Sequence, residues 1–98
     1  MGVKAEEPIV IDFEDLPNYL RAKHSIYMDL GEKLLYLTDA NDIYWRAQDT
    51  DTYNEKGHYI DCSELVPTVS EFMDLPVWKG KSIKQLFSIA RFYDSIPQ

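Results

Sequence analysis

The sequence predicts an α+β domain: an antiparallel meander sheet of 4–5 strands, with a short N-terminal helix and two C-terminal helices packed on one face. Three observations predict it. Short β-rich runs at residues 25–30, 33–38 and 43–48 are separated by the turn signals Gly31-Glu32 and Asp39-Ala40-Asn41-Asp42. Two segments near the end, led by Thr68 and Ser82, carry Glu71 and Gln85 three places on, the signature of a helix capping box. A length of 98 residues holds one domain with one modest core.

Residues 1–7 read as a flexible N-terminus and 8–98 as the single domain. Residues 9–13 form a short β-rich run after Pro8. Asp15 caps a helix through Leu16, Tyr19, Leu20 and Lys23, with Pro17 tolerated in its first turn and His24-Ser25 ending it. In the meander, Ile26, Met28, Leu35, Leu37, Ile43, Trp45 and Ala47 fall on one face by period-two alternation, against Tyr27, Tyr36, Tyr44 and Arg46. Residues 49–57 are a polar loop, and 58–62 offer a fourth strand with Ile60 and Cys62 inward and Tyr59 and Asp61 outward. Thr68 starts a helix that buries Val69, Phe72 and Met73 and stops at Leu75-Pro76. Ser82 starts a longer one to about Asp94, with Ile83, Leu86, Phe87, Ala90 and Tyr93 on one face and Pro97 just past it.

Composition excludes several classes. Apolar residues are 45% of the chain, as in globular proteins. No apolar run is long enough to span a bilayer, and residues 1–7 lack the apolar stretch of a signal peptide, so no membrane partner is expected. Gly2 does not fit a myristoylation motif, because Glu6 stands where Ser or Thr is needed. The single Cys62 rules out an internal disulfide and suits a reducing, cytoplasmic setting. The formal charge of −7 argues against direct nucleic-acid binding, which needs clustered Lys and Arg. Residues 1–76 carry 16 acids and 6 bases, whereas 77–98 carry 1 acid and 4 bases. The acidic part favours encounter with a basic partner.

Chemical motifs fail on inspection. Gly80-Lys81-Ser82 ends like a phosphate loop, but Leu75-Pro76 stands where the first glycine belongs. Asp49, Asp51, Tyr53 and Glu55 alternate like a calcium loop, yet Tyr53, Asn54 and Ile60 occupy positions that demand an oxygen ligand, a glycine and a glutamate. Two scattered histidines and one cysteine do not make a zinc site. His58 and Cys62, four apart in a strand, are separated by about 13 Å and cannot share a proton. Acid pairs such as Glu14-Asp15 arise by chance among 17 acids. No catalytic residue, metal ligand or cofactor is expected.

The tyrosines point elsewhere. Tyr27, Tyr36, Tyr44 and Tyr59 fall on the face away from the helices, joined by Asp29, Arg46 and Asp61, with Asp49, Asp51, Tyr53 and Glu55 in the loop at its edge. Tyrosine supplies stiff amphipathic contact area and is enriched at interfaces. A cross-strand aromatic ladder accounts for the same row. The acidic loop beside it favours a partner-binding surface made of these eleven residues.

The segment "TVSEFMDLPVWKGKSIKQLFSIARFYDS", residues 68–95, has a capped helix, Leu-Pro, an aromatic, Gly-Lys-Ser and a closing amphipathic run. It resembles the tail of small immunity proteins of bacterial contact-dependent inhibition systems. The resemblance covers under a third of the chain. It implies a cytoplasmic protein encoded beside a toxin, often a nuclease, which it binds and blocks without catalysis. The resulting expectation is an acidic inhibitor, monomeric in a 1:1 complex, that occludes the positively charged site of a cognate toxin. The alternative is a phage or mobile-element protein that mimics DNA and sequesters a host nucleic-acid-binding protein.

Overall fold

The computed structural model describes residues 8–41 and 43–95. The expected flexible terminus at 1–7, the turn residue Asp42 and the helix-stopping Pro97 lie outside the described residues. The described residues form a five-stranded antiparallel sheet with three short α-helices against one face. In sheet order the strands are Tyr59–Asp61, Tyr44–Tyr53, Leu34–Ala40, Ser25–Asp29 and Arg91–Tyr93, a four-strand meander with the last strand added beside the first.

A 3₁₀ turn, Phe13–Asp15, leads into α1, Leu16–Lys23. Pro17 sits in the first turn, where no backbone N–H is needed. Asp15 occupies the cap position, but its side chain makes no capping bond, contrary to expectation. Leu16 and Leu20, one helical turn apart, are fully buried. His24 ends the helix in the left-handed region at φ 67°, its N–H bonded to the Leu20 carbonyl at 2.7 Å. The run at 9–13 forms no full strand: Ile9 bridges Phe92, and Val10 is fully exposed.

Strands β1, Ser25–Asp29, and β2, Leu34–Ala40, pair with Ile26 opposite Leu37 and Met28 opposite Leu35. Strand β3 is Tyr44–Tyr53, five residues longer at its end than the alternation at 43–48 suggests. Most of the expected loop at 49–57 is therefore strand, and only 54–57 turns. Thr50, Thr52 and Tyr53 favour extended backbone, and the Thr50 hydroxyl donates to the Leu34 carbonyl at 2.7 Å. Asn54 closes the turn, its side-chain oxygen accepting the N–H groups of Lys56 and His58. Strand β4, Tyr59–Asp61, returns along β3 with a register shift between Asp49 and Tyr53. The chain then continues beside β3 to Val66, which pairs with Trp45.

Helix α2, Val69–Asp74, begins as expected: Thr68 Oγ1 accepts the Glu71 N–H at 3.1 Å. The Glu71 carboxylate takes the Thr68 hydroxyl rather than the cap N–H, so only half the box forms. A small hairpin follows, β5 Pro76–Trp78 with β6 Lys81–Ser82. Its two turn residues, Lys79 and Gly80, both adopt positive φ, 53° and 74°. Glycine at the second position removes the Cβ penalty there. Gly80-Lys81-Ser82 is thus half a hairpin and a helix cap. Ser82 Oγ accepts the Gln85 N–H, and Gln85 Oε1 accepts the Ser82 N–H at 2.9 Å.

Helix α3 spans only Ile83–Leu86, and the expected continuation to Asp94 does not occur. A 3₁₀ turn, Phe87–Ile89, is followed by Ala90 in extended conformation and by β7, Arg91–Tyr93. Phe92 lies opposite Met28, facing the core, and Tyr93 opposite Tyr27, facing the other way. Burial on both sides of an aromatic strand outweighs the helical spacing of 83, 86, 87, 90 and 93.

The core lies between sheet and helices. Ile26, Met28, Leu35, Leu37 and Ala47 from the sheet meet Leu16, Leu20, Phe72, Ile83 and Leu86 from the helices. Two residues expected inward are not. Ile43 is 57% exposed because it precedes β3 in the turn. Ile60 is 43% exposed because it sits on the three-residue edge strand, outside the core cluster.

Candidate functional site

The face of the sheet away from the helices is built by strand register. Antiparallel partners share a face, so Tyr27, Tyr36 and Gln48 stand in one row and Asp61 follows from Gln48. Thr38 opposite Arg46 and Ala40 opposite Tyr44 form the neighbouring rows. The rings of Tyr27 and Tyr36 stack at 4.6 Å. Tyr36 meets Tyr59 edge-on at 5.9 Å, and Tyr59 meets Tyr53 at 5.5 Å. Four of the expected tyrosines thus form one contiguous cluster. Tyr44 stands apart at the other end of β3, 43% exposed. Packing pushes the Tyr27 hydroxyl up to about 12, chiefly by desolvation and then by the neighbouring Tyr59 and Tyr36.

Beside the cluster, between β3, β4 and the turn at 54–57, lies an open cleft of about 370 Å³ lined by Arg46, Gln48, Tyr53, Gly57, His58 and Tyr59. Asp61 does not line this cleft but lines the one that adjoins it, which shares Arg46, Gln48, His58 and Tyr59 with it. Its Oδ1 accepts Gln48 Nε2 at 3.0 Å and lies 3.2 Å from Arg46 Nε. That second contact is a charge pair rather than a hydrogen bond, since Arg46 Nε is buried without hydrogen-bond geometry to any described partner. Asp29 ends β1 and accepts the Gly31 N–H at 2.8 Å, holding the β1–β2 turn. Glu55 is exposed on the turn after β3.

Two expected members lie elsewhere. Asp49 pairs with Leu35, so it belongs to the helix-covered side of the sheet. Lys33 Nζ binds it at 3.1 Å and binds Asp51 at 2.9 Å. Burial raises the Asp49 carboxyl, but the Asp51 N–H and the Lys33 ammonium outweigh it and hold it below the ordinary carboxylate range. The Trp78 ring lies under Lys33 at 5.3 Å and under Lys79 at 5.8 Å, and Lys79 reaches Glu32 at 2.9 Å. This network clasps the hairpin to the sheet on the reverse side from the tyrosines. A loop reading of 49–57 hid the division, because only strand register separates alternate residues onto opposite faces.

Tyr93 extends the tyrosine row beyond Tyr27 and is 6% exposed. Sequence reasoning missed it by assigning it to a helix. The β-favouring aromatic pair Phe92-Tyr93 was its only signal.

Cys62 packs against the core, and burial, then the nearby Asp49, pushes its thiol up to about 11. A thiol so shifted stays protonated and weakly nucleophilic. Among the described residues no three His, Cys, Asp or Glu side chains gather closely enough to hold a metal ion, and no helix is long and apolar enough to cross a membrane. No protein-family model, curated protein or solved structure matches the chain.

Proposed function

We propose that this protein is a non-catalytic acidic inhibitor that docks its tyrosine-bearing sheet face on a basic protein and occludes that protein's positively charged site. In its most concrete form it is a cytoplasmic immunity protein that neutralises a cognate bacterial toxin, a nuclease, as a monomer in a 1:1 complex. One observation carries the reading: Tyr27, Tyr36, Tyr59 and Tyr53 form a continuous aromatic surface on the face that none of the three helices covers. Antiparallel sheets tolerate one solvated face, but that face is normally polar. Stiff amphipathic rings there are the material of a protein interface. The net charge of −7 selects the partner's sign and speeds encounter. A cleft built to hold phosphates is electrostatically complementary to it.

The test is capture of the partner from the native cells, followed by calorimetry with the purified pair over a range of salt. The partner is expected to be basic, to lose affinity as salt rises, and to bind Tyr53→Ser about tenfold more weakly. Tyr53 is 59% exposed, so the substitution leaves the fold intact. An acidic partner, or affinity indifferent to both salt and Tyr53, overturns the reading. A host nucleic-acid-binding protein in place of a toxin favours DNA mimicry.

A further inference from the structure

We infer that the cleft between β3 and β4 is an anchor pocket for a single arginine side chain of the basic partner, with Asp61 as the carboxylate that receives it. The inference rests on the inhibitor reading above and names the group that reading leaves open. Asp61 uses only one oxygen within the protein: Oδ1 is held by Gln48 and Arg46, while Oδ2 has no hydrogen-bond partner among the described residues. Gln48 is 8% exposed and spends its Nε2 on Asp61 and the Tyr59 carbonyl, which orients its amide and leaves Oε1 as an acceptor at the cleft. Tyr59 lines both this cleft and the adjoining one that Asp61 lines, and Tyr53, 59% exposed, lies against the Tyr59 ring at 5.5 Å.

A guanidinium matches these features together. It is planar, stacks on aromatic faces, and donates in a fork to carboxylate and amide oxygens. Arg46 at the cleft's end does not specify an anionic guest, because Asp61 already offsets its charge at 3.2 Å and the molecule's surplus of acids disfavours anions. Its role is to position Asp61. A carboxylate gripped on one oxygen before binding loses less freedom when the guest arrives.

The experiment is a ¹H–¹⁵N NMR titration of the isolated protein with N-acetyl-argininamide, with N-acetyl-lysinamide and phenyl phosphate as comparison probes. Saturable shifts are expected at the amides of Tyr53, Tyr59 and Asp61 with the arginine probe, weaker with the lysine probe and absent with phenyl phosphate. Asp61→Asn is expected to weaken the arginine probe at least fivefold, and the exposed Tyr53→Ser does likewise should Asp61→Asn perturb the fold. Saturable binding of phenyl phosphate at these residues, or no saturable response to the arginine probe, overturns the inference. The titration needs no partner. Its failure therefore leaves the docking face to be judged by partner capture, and a captured acidic partner overturns the basic-partner assignment even where the arginine probe binds.

Discussion

Lys33 clasps Asp49 across the β2–β3 ladder, with Nζ 3.1 Å from one carboxylate oxygen and 3.2 Å from the other, on the side of the sheet that carries the core. Both side chains are largely withdrawn from water, at 15% and 17% exposure. The pair therefore belongs to the fold's own electrostatics rather than to the surface shown to a partner. Withdrawal from solvent also reduces the salt screening that makes ordinary surface pairs weak.

Lys33→Met is expected to lower the melting temperature at neutral pH and to flatten its fall in acid. Asp49 has a depressed folded value, so its contribution is present above the unfolded carboxylate range and is lost as pH falls through the folded value. Without Lys33 that depression shrinks, and protonating Asp49 costs the folded state less. Melting curves from pH 7 to pH 3 check this. A variant with the same acid slope as the parent shows that Lys33 is electrostatically idle.

At the other end of the pH scale Tyr27 offers a second check. Its hydroxyl, raised to about 12 by desolvation and by Tyr59 and Tyr36, is expected to ionise near pH 12 in an ultraviolet titration. A raised folded value means the contribution is intact below the unfolded tyrosine range near pH 10 and fades as pH climbs towards 12. Tyr27→Phe is expected to delete the step near pH 12. If that step persists in Tyr27→Phe, the stacked cluster does not shield this residue.

Much of this was legible in the residues. The alternation of Ile26, Met28, Leu35 and Leu37 marks two strands and one buried face, because period two permits no other arrangement over so short a run. The Ser82/Gln85 cap is equally local. What escaped depends on partners distant in sequence. Residues 91–93 become a strand because β1 has a free edge, a fact that no window around Phe92 contains. Asp49 and Asp51 read as a loop because their charges disfavour strands, and it takes Lys33, 16 and 18 positions away, to neutralise them there. Asp61 and Gln48 read as unrelated polar residues until the register sets them opposite each other.

The reciprocal cap at Ser82 offers a quantitative check on α3, which at four residues cannot stand on its own propensity. Ser82 is 6% exposed, so Ser82→Ala leaves the Gln85 N–H without its acceptor inside the structure. The expected loss is about 1 kcal/mol, a melting shift of about 4–8 °C for a domain of this size. Ser82→Asp, which retains a capping oxygen, is expected to recover part of it. Equal losses for both substitutions place the effect in packing rather than in the cap.

The division of acids between two faces separates stability from binding. Changing Asp49 and Asp51 together to Asn removes the carboxylates that hold Lys33, and is expected to lower the melting temperature while leaving the salt dependence of partner binding near that of the parent. Changing Glu55 and Asp61 to Gln and Asn alters the tyrosine side and is expected to act chiefly on binding: affinity reduced about tenfold and a shallower response to salt, with a smaller stability loss from leaving Arg46 without its carboxylate. Calorimetry of both double variants against the captured partner, paired with their melting curves, reads the two effects independently. A partner that senses Asp49 and Asp51 but ignores Glu55 and Asp61 moves the interface to the reverse side of the sheet, next to Trp78 and the hairpin.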